Sequence, residues 1–152
     1  MSKTVGYCLL ATMGAFLLAL TLLRPSLLSD ENCFLKDFVN QNILGVLGVI
    51  LTITLASTAQ IHLALNEVES KRGRPFLHKT RAGVRSAAYW LIWQFLMAVV
   101  VVLLKPYFHS PEGQSFFNCT ALFILFWMIL IMASLTHFVF ALKPNFEDHL
   151  ES

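Results

Sequence analysis

The sequence predicts an all-α integral membrane protein: a four-transmembrane-helix bundle with short loops and both termini on the cytoplasmic side. Three observations carry that prediction. Hydrophobic residues make up 57% of the 152 residues and charged residues 13%, with a mean hydropathy of +0.67. An ordinary soluble domain holds about 25% charged residues. The apolar residues gather into four runs, near 5–23, 43–65, 87–104 and 119–142, and none of the four contains Asp, Glu, Lys or Arg. Each reaches or approaches the ~20 residues that cross a ~30 Å hydrocarbon layer. Finally, six of the eleven Lys and Arg residues stand together between the second and third runs. Four spans leave no room for a folded extramembrane domain, so residues 1–152 read as a single membrane domain.

The first run is longer than the apolar stretch of a cleavable signal peptide and is followed by Arg24-Pro25 in place of a small-residue cleavage site, which predicts a retained helix. Pro25 stops it. In the following loop, Ser29 with Asp30 and Glu31 resembles a helix start with acids in its first turn. Phe34, Leu35, Phe38 and Val39 follow at near-helical spacing, as expected of a short helix lying in the membrane interface.

The second run carries the stripe Gly45, Gly48, Thr52, Leu55, Ala59, His62, Asn66 in steps of three and four. Small residues at that spacing admit a neighbouring backbone, and Thr52, Thr54, Ser57, Thr58 and Gln60 add interhelical hydrogen-bonding capacity. This span is expected to be the central packing helix and the main surface for self-association. Gly45, Gly48, Thr52 and Ala59 are its candidate packing residues. It is expected to continue past the membrane, with no breaker before Gly73 and Pro75. The third run contains an apolar Ala98–Leu104 stretch. Before the fourth, Tyr107, Phe108, Phe116 and Phe117 fit an interfacial aromatic belt.

The cytoplasmic basic loop, 66–86, contains KRGRPFLHKTRAGVR. Its cations are Lys71, Arg72, Arg74, Lys79, Arg81 and Arg85, with Phe76 and Leu77 among them. Such loops stay on the cytoplasmic side. With four spans, both termini then lie inside. Eight basic residues fall inside (the six, with Lys3 and Lys143) and three outside (Arg24, Lys36 and Lys105). The loop is expected to meet anionic lipid headgroups and is the largest polar surface for a cytoplasmic protein. Sequence-specific nucleic-acid binding is not expected, because the chain has no base-reading element.

Chemistry has few footholds. Cys8 lies within the first span. Cys33 and Cys119 both fall on the outer side, where a disulfide joining the two hairpins is one reading and two free thiols the other. Asn118-Cys119-Thr120 matches a glycosylation sequon and abuts the fourth span. His62 and His137 sit at similar depth near the inner ends of the second and fourth spans, with Tyr7, Tyr89 and Gln94 in the inner half too. A bis-histidine haem site in a four-helix bundle needs such a pair. The plainer expectation is interhelical or headgroup hydrogen bonding, with no cofactor and no metal. Phosphate-binding, metalloprotease and hydrolase motifs are missing from the sequence, so no enzymatic activity is expected.

The segment LGVLGVILTITLASTAQIHLALNEVE with its basic loop resembles small four-helix membrane proteins of bacterial defence loci, such as the Kiwa-type anti-phage membrane subunits. The resemblance implies an oligomeric bacterial inner-membrane subunit that senses phage contact and works with a cytoplasmic DNA-binding partner. It carries over no site residues. The expected role is a non-enzymatic sensor or scaffold recruiting that partner through 71–85. The competing expectation is a pore-forming effector that depolarises the cell.

Overall fold

The computed structural model describes residues 3–72 and 78–142, with side chains described within 4–137 except at 64, 67–72 and 78–81. Its elements run α1 (Lys3–Leu23), α2 (Pro25–Leu28), α3 (Cys33–Asp37), α4 (Ile43–Arg72), α5 (His78–Leu104) and α6 (Pro111–Leu142), with a short 3₁₀ turn at Lys105–Tyr107. Among the described residues there is no strand. Four stretches, Thr4–Leu23, Cys33–Leu63, Ala82–Tyr107 and Pro111–His137, are long and apolar enough to cross a membrane. Helices suit that setting because each satisfies its own backbone hydrogen bonds without water.

Proline and side-chain caps set most boundaries. Arg24, forced out of the helical region by the proline that follows (φ −146°, ψ 75°), ends α1. Pro25 then opens α2 from its first position, where its missing N–H costs nothing. The next helix start is not the one expected at Ser29. Asn32 is the cap of α3, its Oδ1 accepting from the Phe34 and Leu35 amides. Pro111 opens α6 in the same way as Pro25, and the Ser110 hydroxyl accepts from the Gly113 amide.

Between α3 and α4 the chain passes through a wide, kinked turn, Phe38–Asn42. Val39 (φ −83°, ψ 61°) and Asn40 (φ −144°, ψ −145°) both leave helical geometry there. Asn42 bridges the break by donating from Nδ2 to the Asp37 carbonyl at 2.9 Å.

The packing centre is α6, a correction to the expectation that the second span holds that place. α6 packs against α1, α2, α4 and α5, whereas α4 lies mainly against α5 and α6. The core follows this hub: Cys119, Ala121, Ile124, Met128 and Leu135 of α6 meet Leu17 of α1, Ile43 and Leu47 of α4, and Leu91, Ala98 and Val101 of α5. A second small cluster, Ile61, Leu65 and Val84, joins α4 to α5 nearer their shared connection. On α1 the close approach is at Gly14, where a Cβ would lie 3.2 Å from the Phe123 ring. In lipid such fits matter more than apolar burial, since lipid tails are as apolar as the side chains.

Candidate functional site

The polar residues collect at the two ends of the bundle. At the end where α4 meets α5, the basic stretch is more helical than a loop. α4 is unbroken from Ile43 to Arg72, and α5 begins at His78, nine residues before the apolar run. Lys71 and Arg72 therefore stand in the last turn of α4, and Lys79, Arg81 and Arg85 in the first two turns of α5. Arg85 is exposed. Arg74, Phe76 and Leu77 lie outside the described residues. At 1.5 Å per residue α4 is ~45 Å long, against a hydrocarbon layer of ~30 Å, so its charged end projects beyond any span it makes.

The small-residue stripe faces away from the chain's own core. Gly45, Thr52 and Ala59 are exposed; Gly48 is half-buried, with space for a Cβ at 3.9 Å from Phe95. A Cβ on Gly45 would meet nothing within 4 Å. The inward face of α4 is instead Ile43, Leu47, Thr54, Thr58, Ile61 and Leu65. The hydroxyls are thus divided: Thr54 and Thr58 are buried, and each donates to the carbonyl one turn back, Ile50 and Thr54 respectively. Thr52 and Ser57 do the same on the outer side.

The opposite end holds a network that the sequence did not reveal. Lys105 Nζ lies 2.8 Å from Asp30 Oδ1 and donates to the Val39 carbonyl at 3.1 Å. That carbonyl is available because the Val39–Asn40 kink breaks the helical ladder. Asn118, fully buried, donates from Nδ2 to the Leu28 carbonyl at 2.7 Å and to Asp30 Oδ1 at 3.1 Å. Gln114 Oε1 accepts from the Asp30 amide at 3.3 Å. Asp30, read as a helix-start acid, is in fact the anionic partner of a cation from another hairpin. Two opposite charges flanking apolar runs on the same side were the available signal. Their pairing was not.

Asn118 is consequently enclosed, which leaves the formal sequon without an accessible amide. Cys119 beside it is buried in the core, while Cys33 is exposed at the start of α3; both are free thiols, so the Cys33–Cys119 bridge is not formed. Around this end Phe108 and Phe117 pack with centroids 4.8 Å apart, and Phe116 meets Phe117 edge-on at 6.0 Å. Tyr107 is 79% exposed.

The histidines are both on exposed faces. His62 Nδ1 is 3.5 Å from Asn66 Nδ2, one turn along α4. An axial pair enclosing a porphyrin would have to point into the bundle, and neither imidazole does. Among the described residues no group of three or more His, Cys, Asp and Glu is placed to hold a metal ion. Gln94 is a buried polar side chain within the α5 span: it is 3% exposed, and neither its oxygen nor its nitrogen has a partner.

Fold and composition together define a multi-pass helical membrane protein. No protein-family model, curated protein or solved structure matches the chain.

Proposed function

We propose that the chain is a non-enzymatic, oligomeric subunit of the bacterial inner membrane, with both termini cytoplasmic, that acts as a sensor or scaffold and recruits a cytoplasmic protein through its basic end. The observation that supports this most is the unbroken course of α4 from Ile43 to Arg72. A partner bound to cations on a rigid helix end is coupled mechanically to the membrane-embedded part of that helix. Cations on a slack loop would not transmit displacement in this way. The outward stripe of Gly45, Thr52 and Ala59 on the same helix supplies a surface on which a second copy can pack. A role in anti-phage defence rests on the resemblance alone.

The test is co-purification of the protein encoded beside this chain. Arg72→Glu, Arg74→Glu and Arg81→Glu together should abolish it while membrane insertion is retained. Unchanged co-purification would refute recruitment through the basic end. The pore reading draws less support, because Thr54 and Thr58 face the chain's own interior and leave Thr52 and Ser57 as the hydroxyls available to line a pore between subunits.

A further inference from the structure

An open groove of about 660 Å³ runs along one stripe of α5 and is lined by Ala82, Arg85, Ser86, Tyr89, Trp90 and Trp93. Its two ends differ chemically. Arg85 and Ser86 sit immediately before the apolar run, at headgroup level for a helix that crosses a membrane. Trp90 and Trp93 lie ~7 and ~12 Å deeper along the axis. One ring of the aromatic wall is backed by α6: the Trp90 ring stacks on Trp127 at 5.9 Å, and Trp127 meets Phe123 edge-on at 6.0 Å. Tyr89, Trp90 and Trp93 are nevertheless 67%, 50% and 57% exposed, so the wall is open to whatever surrounds the helix.

The electrostatics of the stripe have one sign. α5 carries Lys79, Arg81 and Arg85 and no Asp or Glu along its whole length. Among the described residues, no carboxylate pairs with Arg85. We propose that this groove is a binding site for one anionic glycerophospholipid of the adjacent leaflet. The Arg85 guanidinium and the Ser86 hydroxyl hold the phosphate, the Tyr89 hydroxyl reaches the glycerol esters, and one acyl chain lies along Trp90 and Trp93. Basic pockets on membrane helices take anionic headgroups in this manner. A second protein segment would need to offer an anion at one end only and a slim apolar body at the other, which a lipid does by construction.

All three tryptophans of the chain belong to this wall or its backing, so intrinsic fluorescence reads the groove directly. The protein is placed in nanodiscs of equimolar phosphatidylglycerol and phosphatidylcholine, with dibromo-acyl chains on one lipid and then on the other. Brominated phosphatidylglycerol should quench as though favoured about fivefold at the contact site, the ratio expected of one basic residue at a membrane surface. Arg85→Gln should bring the two lipids to equal quenching, and Arg85→Lys should restore most of the preference. A far-ultraviolet spectrum identical to that of the parent shows that each variant is folded. Equal quenching by both lipids in the parent protein would overturn the proposal, as would a preference that survives Arg85→Gln. Insensitivity to both lipids would overturn it too, and would show that a protein segment covers the groove.

Discussion

Lys105 and Asp30 form an ion pair at 2.8 Å, with side chains only 9% and 23% exposed, that fastens the connection after α1 to the end of α5. The pair does not stand alone. The same ammonium caps the Val39 carbonyl, and Asn118 donates to the same carboxylate oxygen. Removing either ion leaves the other a partly buried charge without its counter-charge, which costs more than the pair itself contributes.

Lys105→Met should therefore destabilise the protein by roughly 2–4 kcal/mol, read from unfolding in mixed detergent micelles. Asp30→Asn should do likewise, and the double variant should lose less than the sum of the two, as expected of coupled sites. Additive losses would show that the two residues act independently.

Gln94 leads to a prediction of opposite sign. Its amide is buried within the α5 span with neither atom partnered, and an unsatisfied buried polar group costs about 1–3 kcal/mol. Leucine has a similar volume and no such requirement. Gln94→Leu should raise stability by about 1–2 kcal/mol in the same unfolding assay, and a fall would show that the amide serves a ligand or a partner.

The glycines of the long helices should separate folding from association. Gly14→Leu drives a side chain into the Phe123 ring, already at 3.2 Å from a bare Cβ, and should cost about 1–3 kcal/mol of monomer stability. Gly45→Leu enters open space and should leave the monomer's unfolding unchanged. Combined with Ala59→Leu, it should cut the cross-linked dimer in membranes several-fold. An unaltered dimer yield would remove α4 from the self-association surface.

The exposed thiol of Cys33 reports orientation. In a Cys8→Ser, Cys119→Ser background, a membrane-impermeant maleimide should label Cys33 in intact spheroplasts. A cysteine introduced by Ser70→Cys, at the basic end of α4, should label only after lysis in a chain that also carries Cys33→Ser. The reverse pattern would invert the proposed topology.

The four helices long and apolar enough to cross a membrane are legible because hydropathy runs record directly what can face lipid. Helix ends were less so. The apolar runs suggest starts at Ala87 and Cys119, whereas α5 and α6 begin at His78 and Pro111, because hydropathy marks where lipid is met and not where helical hydrogen bonding starts. The centre of packing is less legible for a related reason. Gly45, Gly48 and Ala59 signal that something can approach closely but not which neighbour does. The chain's own interior is filled by α6, whose bulkier Met128 and Ile124 carry no comparable signature. Asp30 and Lys105 are 75 positions apart in the sequence. Their meeting depends on a kink at Val39 and on the placement of Asn118, neither of which has a local pattern to announce it.

That kink makes the molecule asymmetric in leverage. Where Lys105 grips both Asp30 and Val39, the two helical hairpins share a pivot; at the far end of α4, Arg72 stands ~45 Å away along the axis. A tilt of about 5° about the pivot would carry Arg72 through ~4 Å at that arm length. The charged tip is the long arm of such a lever, and Lys105 holds its short end at the opposite end of the bundle.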